Sequence, residues 1–190
     1  KDIYRYFHYI SQIESSLVQT LLEEELMEES LHVQGNQDLI DKISKARQDG
    51  ALITHVSDMY LPKSFLSELL LREGIMHESD SLFVSNEDKA AKGDGSIFKK
   101  ISAEYNIPFD RISHIGNCYH ADYLGAKSVG IDAVHYKSGN LTNKEIDLEK
   151  LTNCTNGRSS YWAGVSRIGR LSSMCEKALS KEYFSLEQIA

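Results

Sequence analysis

Between Ile3 and about Leu31, the apolar residues Ile3, Phe7, Ile10, Ile13, Leu17 and Leu21 recur at steps of three and four, the spacing of one helical face. This predicts a long helix or a broken pair, packed on a neighbour by that stripe. The acidic run from Glu23 to Glu29 reads as a solvated face. After Gly35 and Asn36 the helical period returns over Asp38 to Gln48, and Gly50 stands where a helix-ending glycine belongs. The period then changes. Ala51 to Val56 is a nearly continuous apolar run that ends in Ser57-Asp58, as in a strand buried on both faces of a parallel sheet. Pro62 can open the next helix, with Phe65, Leu66, Leu69 and Leu70 as its apolar positions and Gly74 as its stop.

The alternation continues with a strand Ser81 to Val84, a helix from about Asp94 to Tyr105, a strand Ile112 to Ile115, a helix from about Ala121 to Val129, and a strand Ala133 to Tyr136. Strands alternating with helices of this length predict right-handed crossovers and an α/β fold with a doubly wound parallel sheet. Residues 1–49 are expected to form a helical cap segment, 50–140 the core, and 141–190 a helical C-terminal extension. In that extension Leu141 to Leu151 reads as a helix, Asn153 to Ser160 as a polar loop and Tyr161 to Lys181 as a terminal helix. Ligands of doubly wound sheets bind beyond the carboxyl ends of the strands, which singles out three segments: Ser57-Asp58, Ser85 to Lys92, and Gly116 to Asp122.

Charge narrows the function classes. Lys and Arg total 21 against 28 Asp and Glu, a net charge of −7, so the overall field does not favour nucleic acid or anionic lipid. No apolar run approaches the roughly 18 residues a membrane span needs, and glutamates stand where a signal peptide would be apolar, so a cytoplasmic location is expected. Cys118, Cys154 and Cys175 show neither disulfide nor zinc spacing and read as buried or idle thiols.

The three strand ends carry a hydroxyl (Ser57), a lysine 35 positions on in a glycine-containing loop (Lys92), and an acidic residue (Asp122). This is an inventory for handling a phosphoryl group. A hydroxyl and loop amides hydrogen-bond phosphoryl oxygens, an ammonium neutralises their charge, and a carboxylate can hold Mg²⁺, a hard cation that prefers oxygen ligands.

At these residues the chain resembles the haloacid dehalogenase-like (HAD) superfamily of phosphohydrolases. Ala51 to Pro62 is similar to that superfamily's second motif, in an SDMYLP form often associated with bacterial surface-polysaccharide glycosyltransferases. Ala91-Lys92-Gly93-Asp94-Gly95 resembles the lysine-bearing third motif, and His114 to Asp122, running on to Gly125-Ala126-Lys127, the acidic fourth. The resemblance implies a HAD-like, Rossmann-type fold and a Mg²⁺-dependent phosphatase acting on a small phosphate monoester such as a sugar phosphate. It also implies an adjoining glycosyltransferase domain or protein as a possible partner. By the same resemblance Ser57 and Lys92 are catalytic, Ser57, Asp58 and Lys92 bind substrate, and Asp122 and Asn117 hold Mg²⁺. Asp58 also suits a loop-capping acceptor.

Two departures accompany the resemblance. The family's first motif, a DxD whose leading Asp is the nucleophile, is not in the sequence, and Asn117 stands where the fourth motif normally has Asp. A start at Lys1 rather than Met makes an N-terminally truncated phosphatase the expectation, with a degenerate, non-catalytic binding or scaffold module as the alternative. His55, His114 and His135 fall on predicted strands and read as satisfied sheet histidines, whereas His120 lies in a site loop. Arg158, Arg167 and Arg170 read as a basic, solvated edge of the terminal helix.

Overall fold

In the computed structural model, residues 2–12, 14–151, 157–172 and 174 are described. The first apolar segment breaks at Gln12, whose φ of 53° is left-handed and ends the helix. It forms α1 (Asp2–Ser11) and α2 (Ser15–His32). Of the predicted stripe, Ile10, Leu17 and Leu21 are exposed, and Ile13 lies outside the described residues. The Arg72 guanidinium donates to the Ser30 carbonyl and hydroxyl, both at 2.7 Å, tying α2 to the helix that contains Arg72.

Asn36 caps α3 (Gln37–Gln48), its side chain accepting from the Leu39 amide, and Gly50 follows in the left-handed conformation with φ 81°. Strand β1 (Thr54–Ser57) leads through Pro62 into α4 (Lys63–Arg72), which stops before Gly74 at φ 68°. Strand β2 (Ser81–Val84) runs into a single turn, α5 (Ser85–Asp88), and then α6 (Ser96–Tyr105). Strand β3 (Ser113–Gly116) is followed by a π-helical segment, Tyr119–Leu124, which continues as α7 (Gly125–Ser128) and strand β4 (Asp132–His135). Helices α8 (Asn143–Lys150) and α9 (Arg158–Ser172) complete the described chain. Residues 173 and 175–181 of the predicted terminal helix, residues 153–156 of the predicted loop, and Cys154 and Cys175 lie outside the described residues.

The strands do not form the expected doubly wound sheet. β1 pairs in parallel with β2, in register Thr54 to Ser81, and β3 pairs in parallel with β4, in register Ser113 to Asp132. These are two separate two-stranded sheets, and no strand among the described residues joins β1 to β3. Burial agrees: β2 is largely buried, but β1 is half-buried throughout and β3 alternates exposed with half-buried, unlike an interior strand covered on both faces. Helical packing bridges the pairs instead. Ile97, Phe98 and Ile101 of α6 join one apolar cluster with Phe83 of β2 and Ala133 of β4, while α4 lays Leu66 and Leu70 on Leu82 and Val84.

Buried ion pairs close both ends of this arrangement. Ahead of β2, the buried Asp80 carboxylate accepts from Arg47 Nη2 at 2.5 Å and from the His77 amide at 3.0 Å, and its Oδ2 lies 3.2 Å from His55 Nε2. Burial pushes the His55 pKa down, outweighing the opposing pull of Asp80. A histidine whose folded pKa lies below the ordinary value of about 6.5 stabilises the fold above that pH and loses the contribution as pH falls. The urea midpoint should therefore decline between pH 7.5 and 5, and H55Q should flatten that slope; an unchanged slope in H55Q would refute the assignment.

At the other end Glu145, 1% exposed, completes a capping box with Thr142. It is also held by Arg170 Nη2 at 3.0 Å, and these donors, Arg170 first, bring its pKa down to about 2. Arg170 is thus an internal tie between α8 and α9 and not part of a solvated edge.

Candidate functional site

The loop after α5 is shaped by its own side chains. Ser96 Oγ accepts from the Ala91 amide at 2.9 Å and donates to Asp94 Oδ1 at 2.6 Å, while the Gly95 amide donates to the Lys92 carbonyl at 3.0 Å. Gly95 takes φ 74°, which allows the turn. Lys92 therefore projects from a tight, internally bonded loop. Its neighbour Lys89 is instead spent on the left-handed end of α5, at φ 54°.

Lys92 is the point at which the three segments meet. Its backbone amide donates to both Asp58 carboxylate oxygens, at 3.1 and 3.3 Å, so Asp58 does cap the lysine loop. Its ammonium donates to Asp122 Oδ1 at 2.6 Å, 30 residues further along the chain. Both groups are well covered, with 13% and 3% of their side-chain surface exposed.

Asp122 has two further partners. His114 Nε2 lies 2.9 Å from the same Oδ1, and the Cys118 amide donates to Oδ2 at 2.8 Å. Burial raises the Asp122 pKa, but donation from His114, Lys92 and Cys118 outweighs it and holds the carboxyl well below the usual range. His114, read from the sequence as a sheet histidine, is thus a partner of the site carboxylate, its ring packed edge-on against Phe98 at 4.9 Å. Strand parity carries the signal for it: residues 114 and 116 share a face of β3, and a Cβ on Gly116 would lie 2.6 Å from Asp122 Cβ. Gly116 leaves the space that this carboxylate fills.

The other predicted residues are placed differently. Ser57 ends β1, half-buried, and its hydroxyl has no hydrogen-bond partner among the described residues. Asn117 is exposed; its backbone carbonyl lies 3.1 Å from His135 Nε2, and its side chain makes no hydrogen bond to Asp122 among the described residues. His120 is exposed, edge-on to Tyr119. Cys118 is exposed and not a buried thiol; its sulfur accepts from the Ala121 amide at 3.5 Å at the start of the π-helical segment.

For magnesium, the donor set as it stands does not fit. Both Asp122 oxygens already serve three donors, one of them a cation, and Asn117 brings no charge. Among the described residues no group of three His, Cys, Asp or Glu could hold a metal ion. What the strand ends do offer is the Lys92 ammonium, paired with Asp122, and the Ser57 hydroxyl, which has no partner among the described residues.

Among the described residues no helix is long and apolar enough to cross a membrane. Comparison of the chain with protein-family models and with curated proteins gave no match.

Proposed function

We propose that this chain supplies the phosphoryl-binding residues of a HAD-type phosphohydrolase acting on a small phosphate monoester. The observation that carries the reading is the convergence on Lys92: Asp58 on its amide and Asp122 on its ammonium. In this reading the Ser57 hydroxyl and the Lys92 ammonium hold the phosphoryl oxygens. Asp58 and Asp122 fix the backbone and the tip of the lysine, so that little ordering remains to be done when the anion arrives. Hydrolysis would further need a carboxylate nucleophile to attack phosphorus in line and expel the alcohol, followed by water attack on the aspartyl-phosphate. Neither Asp58 nor Asp122 is free for that role, since each is committed to Lys92.

The test is a calorimetric titration of the chain with inorganic phosphate. Millimolar binding is expected, weakened about tenfold in S57A, the loss of one charge-assisted hydrogen bond. No binding by the wild-type chain at 20-fold higher phosphate, on the order of tens of millimolar, would refute the reading.

A second reading, a binding module without turnover, is favoured by the saturation of Asp122 together with Asn117. Turnover of any ester in a broad phosphate-monoester panel, abolished in K92A, would rule it out.

A further inference from the structure

The segment from Asn117 to His120 is exposed, yet its Cys118 amide helps to hold Asp122. One side chain braces it from outside. His135, the last residue of β4, places Nε2 3.1 Å from the Asn117 carbonyl, with its ring 5.4 Å from Tyr119 and 6.4 Å from Tyr123. The two tyrosines stack on each other at 5.4 Å and 16°.

The same Nε2 lies 3.2 Å from Asn140 Nδ2. A carbonyl only accepts, so the contact with Asn117 requires the proton on Nε2. An amide nitrogen only donates, so with that proton in place the Asn140 amide must be turned to present its oxygen to the ring. Asn140 is itself held, because its backbone carbonyl accepts from Arg170 Nη2 at 2.9 Å while Nη1 donates to the Ser138 carbonyl at 2.5 Å. That guanidinium is anchored on the buried Glu145. A continuous set of contacts therefore runs from α8 and α9 through Asn140 and His135 to the loop that supports Asp122.

We propose that His135 is a positioning residue for the candidate site. Its Nε2–H holds the Asn117 carbonyl and thereby sets the pose of the Cys118 amide on Asp122, and Arg170 holds His135 in turn through Asn140. Helices α8 and α9 then tune the affinity of the site for a phosphoryl anion. The affinity part rests on the phosphate-binding reading above, whereas the positioning part does not.

The experiment compares wild type, H135F, H135Q and R170K by two readouts on the full chain: the backbone amide resonances of Asn117 and Cys118, and calorimetric titration with inorganic phosphate. Phenylalanine keeps the ring contacts and loses the donor, glutamine restores a donor, and lysine keeps the charge opposite Glu145 but loses the two-carbonyl fork. H135F should shift both resonances and weaken phosphate about five- to tenfold, as expected for one lost hydrogen bond, with an unchanged urea midpoint. H135Q should recover most of the affinity, and R170K should shift the same resonances in the same direction by less. If wild type binds no phosphate, the functional reading falls, and the resonances alone decide the positioning role. Unmoved Asn117 and Cys118 resonances in both H135F and R170K overturn the proposal, as does H135F affinity equal to wild type where wild type binds. Should H135F fail to fold, H135Q and R170K decide by the same criteria.

Discussion

Substitution of Gly125 by alanine is expected to destabilise the protein by about 3 kcal/mol or more, the upper range for forcing extra atoms into a filled space. A Cβ at this position would be driven into the Lys92 carbonyl oxygen, with the Lys92 carbonyl carbon only 2.9 Å away and Gly93 Cα at 3.3 Å. All three neighbours are backbone, so no flexible side-chain tip can swing aside. They also belong to the turn that the Gly95 amide closes on Lys92. The alanine must therefore push the whole lysine loop away from α7, and the Lys92–Asp122 pair lengthens with it. Urea denaturation of G125A checks the size of the effect, and phosphate titration checks the displacement. A loss below about 1 kcal/mol would mean that helix and loop do not approach this closely. Gly164, inside α9, has open space around it and no positive φ, so G164A should gain about 0.5–1 kcal/mol of helix propensity instead of losing stability, and serves as the control.

The second large effect is expected from K92M. The change keeps most of the aliphatic stem and removes the charge, leaving Asp122 buried with its cation gone. Breaking a buried pair in this way costs about 3–5 kcal/mol, because the remaining charge stays desolvated. The double variant K92M/D122N removes the orphaned charge and should recover a large part of the loss, so the two substitutions should be clearly non-additive. Additive single and double variants would show that the ion pair contributes little. The corresponding K89M change should cost less than about 0.5 kcal/mol, since that lysine forms no ion pair among the described residues.

Much of the local structure is legible in the residues alone. Asn36 and Gly50 bracket α3, Pro62 and Gly74 bracket α4, and β2 spans the predicted Ser81 to Val84. These signals are short-range: a capping side chain, a fixed φ, a left-handed glycine or an alternating period acts within a few residues of itself. The glycine-containing loop at Lys92 is of the same kind, since Gly95 at φ 74° shapes the turn that presents the lysine. The break at Gln12 carries no such mark, because a left-handed glutamine is not announced by its residue type.

What remained to the tertiary structure is what depends on distant partners. Apolar runs identify strands but not the neighbours they pair with. The four short strands among the described residues form two separate pairs bridged by α6, where a single doubly wound sheet was expected, because ladder bonds depend on which strands meet after collapse. Arg170 reads as a solvated cation until α9 folds back onto Glu145, and that the Asn117 backbone carbonyl faces His135 has no sign in the sequence. His114 is likewise an ordinary strand residue until it reaches the same oxygen of Asp122 as Lys92 does. By itself, then, the sequence determined most of the local elements, the helix ends marked by Asn36, Gly50, Pro62 and Gly74, and the chemical inventory at the strand termini. Strand pairing, and which donors occupy each buried carboxylate, were decided only by the tertiary structure, because both are set by contacts between residues far apart in the chain.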